Sequence, residues 1–336
     1  MDRSEAESTL NKVSFDSQLQ EGYQGVRLIM REILRGKNVP IHDISKLTGI
    51  PVPAVSAARR ELEKRKFLVR SGGATLTDAG LDVLSLIGIC DQKVPRFRAP
   101  YEVPDVMLDQ IAKFDELSEG RPDPDYSLDQ SHAISSTCFR RAMYFHENDA
   151  IEGRDIAILG DDDLTSLAIM IYSQEYGLNI KSLNIFDIDQ RILNFIESIS
   201  KKFDVEINLY EIDLIKELQD SHKERYDVII SDPPYTVHGL TRFAAIGAQM
   251  AKEYVGAIAF LSYPNLGPVG NSVFFRNISE IGFSPKELIP GFNEYIGAQM
   301  HAGISNIGRF FISGENIDVA EMYSGGIYTR HRGDWD

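Results

Sequence analysis

Cysteine is scarce in this chain. Only Cys90 and Cys138 occur in 336 residues, which excludes a disulfide framework and any zinc site built from cysteines alone, and makes a reducing compartment the expectation. Long apolar runs are absent: none approaches the roughly 18 residues that span a bilayer. No signal-type segment precedes Leu28, so a soluble, cytoplasmic protein with no membrane partner is expected. A G-x-G-x-x-G loop is missing, and with it the backbone cradle for a dinucleotide pyrophosphate, which disfavours a nicotinamide enzyme. Positive charge is also in deficit. The formal net charge is −15; residues 1–100 carry 16 Lys and Arg against 12 Asp and Glu, and the other 236 residues carry 19 against 38. The acidic portion repels a polyanion such as DNA and draws in a polycation, which favours an amine substrate over nucleic acid.

The length admits two domains. Residues 1–22 read as an extension or a first helix. Val26, Ile29, Met30, Ile33 and Leu34 recur at helical spacing up to Gly36, Pro40 to Lys46 starts a second helix, and Val52 to Lys64 forms a third. Phe67 to Arg70, the Gly72-Gly73 turn and Ala74 to Thr77 then read as a short hairpin. This order resembles a winged-helix domain over residues 1–90. In DNA-binding relatives of that kind the third helix enters the major groove. Attached to an acidic partner domain, the module is read instead as one that packs, dimerises or covers a substrate. Residues 91–127, with five prolines among charged residues, have linker composition and room for one short helix within 103–117.

From residue 128 to 336, apolar runs alternate with helical patterns, which marks a doubly wound parallel α/β sheet. Strands are expected at 156–159, 182–186, 206–210, 226–231, 256–262, 286–289 and 309–312, seven in all, with helices at 165–176, 190–203, 214–222, 240–251 and 272–281. Residues 290–307, glycine-rich and carrying Tyr295 and His301, read as a long loop. Asp129, Gln130, Ser131 and His132 lead into a helical pattern over Thr137 to His146 and are candidates to line a site, although a lone His132 is more often a satisfied surface residue than a base.

Ligands bind at the carboxyl ends of strands in such sheets, near the topological switch point. The first strand runs into Gly160 and then Asp161, Asp162 and Asp163. Three adjacent carboxylates repel one another unless a cation sits on them. A second acidic strand end is Asp232-Pro233-Pro234-Tyr235. Asp187, ending the second strand, stands where nucleoside-binding folds place an acid on the ribose hydroxyls, and Asp213, past the third, where an adenine amino group needs an acceptor. This spacing resembles the class I fold of S-adenosylmethionine enzymes. The three aspartates repel the carboxylate of that donor and suit its decarboxylated form, which ends in an ammonium alone.

Gly160-Asp161-Asp162-Asp163 with Ser231-Asp232-Pro233-Pro234-Tyr235, after an N-terminal winged helix, closely resembles the branched-chain polyamine synthase family over essentially the whole chain. The resemblance implies an aminopropyltransferase that makes N4-bis(aminopropyl)spermidine from spermidine and decarboxylated S-adenosylmethionine, a co-substrate with no obligatory cofactor beside it. More distantly, the sheet resembles that of linear spermidine synthases. That likeness places Asp163 on the donor's amine, Asp187 on its ribose and Asp232 at their catalytic aspartate. The Asp-Pro-Pro-Tyr run also resembles the motif of adenine and glutamine amino-methyltransferases, so an N-methyltransferase on nucleic acid or protein amide is the alternative enzyme, and a ligand-sensing DNA-binding regulator a third reading.

With Asp163 on the donor, Asp161 or Asp162 is the group expected to deprotonate the attacking amine. Asp232 and the Pro233 carbonyl are then expected to clamp the polyamine while Tyr235 packs on its methylenes; Gly160 and Asp213 complete the donor site. No metal is required; magnesium on the triplet is the alternative that oxygen-ligand chemistry leaves open. A homodimer is expected, with no nucleic-acid partner.

Overall fold

The computed structural model describes residues 1–97, 99–214, 218–252, 256–296, 303–313 and 327–328. Contacts divide the chain into two units, one of residues 1–93 with 254–256 and one of 94–253 with 257–336.

The first unit holds α1 (Arg3–Asp16), α2 (Gly22–Gly36), α3 (Ile41–Thr48) and α4 (Val52–Lys64), the strands β1 (Leu68–Ser71) and β2 (Gly73–Leu76), and α5 (Asp78–Leu86). Residues 1–22 are thus mostly helical, with Asp2 and Glu5 forming a capping box at the start of α1. The hairpin pairs Leu68 with Leu76 and Ser71 with Gly73, and Gly72 at φ +77 makes the reversal that a side chain would resist. Val26, Ile29, Met30 and Ile33 of α2 pack with Ile44, Val55, Leu62 and Val83 in one apolar core. The basic side chains at the end of α4 have acidic partners within the unit: Arg59 meets Glu63, Lys64 meets Glu61, and Arg65 meets Glu61 and Asp16.

The second unit begins with α6 (Leu108–Ser118), α7 (Ser135–Glu147), β3 (Asp155–Leu159), α8 (Thr165–Tyr176), β4 (Ser182–Asp187), α9 (Gln190–Ser200) and β5 (Ile207–Glu211). It continues through β6 (Val228–Ser231), α10 (Val237–Met250), β7 (Ala257–Tyr263), α11 (Gly267–Glu280), β8 (Phe283–Glu294) and β9 (Ile304–Ile312). The strands form one seven-stranded sheet in the order β5-β4-β3-β6-β7-β9-β8, parallel except where β9 pairs antiparallel with β7 and β8. Alternate residues of β3 feed opposite faces: Ile156 and Ile158 join the core under α7 and α8, whereas Ala157 and Leu159 join the core under α10. Both faces being covered explains why these strands read as unbroken apolar runs.

Three expectations need correction. Residues 94–127 are not a free linker, because Met107 and Phe114 are buried against the core that contains Phe139. Of the helix expected over 214–222, the described residues form only a turn at Leu214 and a short 3-10 helix at Asp220–His222. Among the described residues of the expected loop 290–307 most are strand, 290–294 ending β8 and 304–307 beginning β9. β8 is the sheet's edge, where prolines are tolerated, and it carries Pro285 and Pro290 through two register shifts. His301 lies outside the described residues. Among the described residues no helix is long and apolar enough to cross a membrane.

Candidate active site

The sheet's topology fixes where a site can form. From β3 the chain winds to β4 and β5 on one side, then returns to β6 and β7 on the other, so the switch point lies between β3 and β6. Leu159 pairs with Phe186 and with Ser231, which sets Gly160 between Asp187 and Asp232. Gly160 has φ +77, and a Cβ there would meet no atom within 4 Å among the described residues, so its requirement for glycine is conformational rather than steric. The turn it makes aims the Asp161 amide at Asp187 Oδ2, 3.0 Å away.

The three aspartates point in three directions. Asp161 is 1% exposed and accepts from the Ser166 amide at 3.2 and 3.3 Å, which satisfies one of the unpaired donors at the start of α8. Burial pushes its carboxyl up to about 8. Asp163 accepts from the Ala133 amide on one oxygen and from Arg141 Nη1 at 2.7 Å on the other. Of the three, Asp162 borders the cleft at the switch point. Its Oδ2 accepts from the Ser131 amide at 3.0 Å, and among the described residues it has no ion-pair partner. Burial, then the charges of Asp163, Asp187 and Asp232, holds its carboxyl well above the usual range. The triplet therefore does not converge as a ligand set for one ion.

The cleft, open to solvent and with about 560 Å³ of empty space counting its open mouth, is bordered by Gly160, Asp162, Asp187, Asp213, Asp232 and Pro234, with Ile188, Ile212 and Phe243 as apolar walls. Asp187 accepts from the amides of Asp161 and Asp189, at 3.0 and 2.8 Å, and burial raises its carboxyl against their pull. A carboxylate held in this way still offers lone pairs to a vicinal diol. Asp213 beside Ile188 and Ile212 supplies an acceptor next to surfaces that suit a flat heterocycle. Gln130 reaches Asp189 at 3.1 Å, tying the segment before α7 to the β4 end. Burial pulls His132 down to about 4, and its Nε2 is buried without a partner among the described residues.

Asp232 differs from expectation in its company. Oδ2 accepts from Arg141 Nη2 and from the Tyr295 hydroxyl, each at 2.6 Å, and Oδ1 accepts from the Tyr235 hydroxyl at 3.0 Å. Burial lifts the carboxyl to about 6 against the pull of Arg141. Tyr235 and Tyr295 lie 2.7 Å apart, hydroxyl to hydroxyl, and burial beside Asp232 keeps both protonated. Asp163, expected on the donor ammonium, faces Arg141. Pro233 and Tyr235 do not border the main cleft; Pro234 does.

Arg141, Tyr295 and Asn293 were not among the expected site residues. The available signal was Arg140-Arg141 inside the apolar pattern of Thr137 to His146, since a helix buried over all ten of those residues can carry arginines only if acids meet them.

A family model described as the branched-chain polyamine synthase A C-terminal domain matches residues 109–324. The chain is 34% identical to an uncharacterized protein of Methanocaldococcus jannaschii, over 95% of this chain and 81% of that one. It is 27% identical to the N(4)-bis(aminopropyl)spermidine synthase of Thermococcus kodakarensis, over 75% of this chain and 73% of that one. The crystal structure of a branched-chain polyamine synthase mutein from Thermus thermophilus, in complex with N4-aminopropylspermidine and 5'-methylthioadenosine, shares the fold with a TM-score of 0.59, covering 98% of each chain at 18% identity. A Rossmann-like sheet with acids at its switch point and a family match over most of its length lead to one conclusion: the chain belongs to the branched-chain polyamine synthase family.

Proposed function

We propose that the chain transfers the aminopropyl group of decarboxylated S-adenosylmethionine to the secondary amine of spermidine, giving N4-aminopropylspermidine and, after a second transfer, the bis product. The observation that carries this reading is Asp162. It is a carboxylate with a raised pKa that borders the cleft at the switch point and has no ion-pair partner among the described residues, which suits an amine arriving as a cation. In the reaction Asp162 first takes one proton from the arriving ammonium, and the freed lone pair attacks the propyl carbon next to the sulfonium. The carbon–sulfur pair leaves with sulfur as methylthioadenosine, and the product amine keeps its remaining proton. Sulfonium is a good leaving group, so positioning and deprotonation are the main tasks and no step needs a metal.

In this reading Asp187 accepts from the ribose hydroxyls, Asp213 from the adenine amino group, and Gly160 shapes the donor bay. Asp161 caps α8 rather than acting as base. Asp232, with both oxygens engaged, shapes the acceptor end. An amino-methyltransferase has less support, because the Asp232 oxygens that would hold its target amine already accept from Arg141, Tyr235 and Tyr295. The N-terminal unit, residues 1–90, is proposed as a winged-helix module that does not bind nucleic acid, given the acidic partners of Arg59 and Lys64 on α4, and residues 128–336 as the catalytic domain. We also propose a cytoplasmic homodimer. Mass spectrometry of products from spermidine with each donor tests the activity: aminopropyl adducts from the decarboxylated donor are expected, and methyl adducts from S-adenosylmethionine would overturn it.

A further inference from the structure

Arg141 places a full positive charge where a polyamine enzyme needs negative ones. Its side chain is 3% exposed, and all five of its N–H groups have acceptors. Nε donates to Asn293 Oδ1 at 2.9 Å. Nη1 donates to Asp163 at 2.7 Å and to Thr165 Oγ1 at 3.1 Å, and Nη2 donates to Asp232 at 2.6 Å and to the Tyr295 hydroxyl at 3.1 Å. Asn293 is fixed in turn, its amide donating to the hydroxyls of Ser262 and Ser305 at 3.1 and 3.0 Å. The planar fork is required by this arrangement; a lysine ammonium has three donors and reaches two of these sides at most.

The consequence is a count of charges. Asp162, Asp163, Asp187 and Asp232 meet at the switch point; the guanidinium pairs with two of them, Asp163 and Asp232, offsetting one of their charges and filling the space between them. Asp187 is turned toward two backbone amides and the ribose position. Asp162 is then the carboxylate left to meet an incoming cation. We infer that Arg141 is a resident counter-cation and positioning residue: it fills the bay between Asp163 and Asp232 that an ammonium of the acceptor would otherwise enter, so that the acceptor is held at Asp162 with its reacting nitrogen there. Without Arg141 the same bay is a two-carboxylate trap. A polyamine then binds with an ammonium between Asp163 and Asp232, well held and out of line with the sulfonium.

This inference rests on the aminopropyl-transfer reading, and its test separates the two. Arg141→Ala and Arg141→Lys in the full chain are compared with wild type for spermidine and methylthioadenosine binding by calorimetry, and for turnover with and without millimolar guanidinium. For Arg141→Ala, turnover should fall at least 100-fold while spermidine affinity holds or tightens and methylthioadenosine affinity stays within threefold. Guanidinium should recover at least tenfold of the loss and methylammonium should not; Arg141→Lys should remain impaired. Should Arg141→Ala fail to fold, Asn293→Ala and Tyr295→Phe loosen the guanidinium without removing its charge and should each lower turnover at least fivefold with methylthioadenosine affinity unchanged. Wild-type turnover in Arg141→Ala, or in both of the latter variants, overturns the inference. So does a loss of both ligands' affinities together, without guanidinium rescue. A wild-type chain that binds no spermidine overturns the functional reading and this inference with it, whereas an active wild type beside an equally active Arg141→Ala overturns the inference alone.

Discussion

Replacing Asp161 with asparagine should change the pH dependence of stability more than it changes the fold. Asp161 is 1% exposed, its carboxyl sits against the Ser166 amide, and burial raises it from an ordinary 3.8 to about 8. The folded chain therefore holds this proton more tightly than the unfolded chain. Unfolding releases it between those two values, so the group's contribution to stability declines as pH rises from 3.8 to 8 and levels off above. At about 1.4 kcal/mol per pH unit, the ceiling over that window is about 6 kcal/mol. Asparagine keeps an acceptor for the Ser166 amide and never ionises, but it buries an amide N–H₂ at a cost of about 1 to 3 kcal/mol.

The two effects oppose each other and their balance reverses with pH. Near pH 4.5 the variant should be less stable than wild type by about 1 kcal/mol, and at pH 8 more stable by about 3 kcal/mol, with the curves crossing between. Urea denaturation of the unliganded full chain, read at the transition of the second unit, measures both. Burial raises Asp162 and Asp187 as well, so the difference between the two proteins carries the information rather than either slope alone. Parallel stability curves, or a variant that is less stable at pH 8, would refute the assignment of Asp161 as a buried, proton-holding cap.

Asp162→Asn should bind methylthioadenosine within a few-fold of wild type yet lose at least 10² in turnover, recovering partly at high pH where free amine is abundant; wild-type turnover at pH 7 would remove Asp162 from the chemistry. Asp187→Ala should weaken methylthioadenosine binding by about 1.5 to 3 kcal/mol, the scale of hydrogen bonds to a charged group, while sparing spermidine. Calorimetry showing the opposite pattern would move the ribose elsewhere. Decarboxylated S-adenosylmethionine should bind far better than the parent compound, and Asp162→Asn rather than Asp163→Asn should narrow the gap; equal affinities of wild type for the two donors would defeat the charge argument.

The sheet was legible because both its faces are covered, so β3 and β6 are continuous apolar runs followed by Gly160 and by Ser231-Asp232, and β4 ends on Asp187. Asp187 and Asp232 fall beside Gly160 by register alone, and strand spacing sufficed to find them. The division of labour within Asp161 to Asp163 was not legible. It depends on Gly160 at φ +77 and Leu164 at φ +57, a pair of left-handed residues that sends three consecutive carboxylates to a helix start, a cleft and a buried arginine. Asn293 and Tyr295 were hidden for another reason. Pro290 and Gly291 read as loop residues, and only the position of β8 at the sheet edge lets a strand continue through them. Asp213 was found by its place after β5, although the helix expected to follow it was not.

The hydrogen bond from Arg141 to Asn293 joins residues 152 positions apart. On a ribosome adding roughly 5 to 20 residues per second, about 8 to 30 s separate the synthesis of the two. β3, β4 and β6, whose ends border the cleft, are made within that interval, and β6 ends at Ser231, so for roughly the last 3 to 12 s the nascent chain contains them but lacks the β8–β9 hairpin that brings Asn293, Tyr295 and Ser305 to the guanidinium. On the proposed reading, the strand ends that face the donor are thus made before the residues that fix the guanidinium, which arrive only when the hairpin adds to the edge of β7.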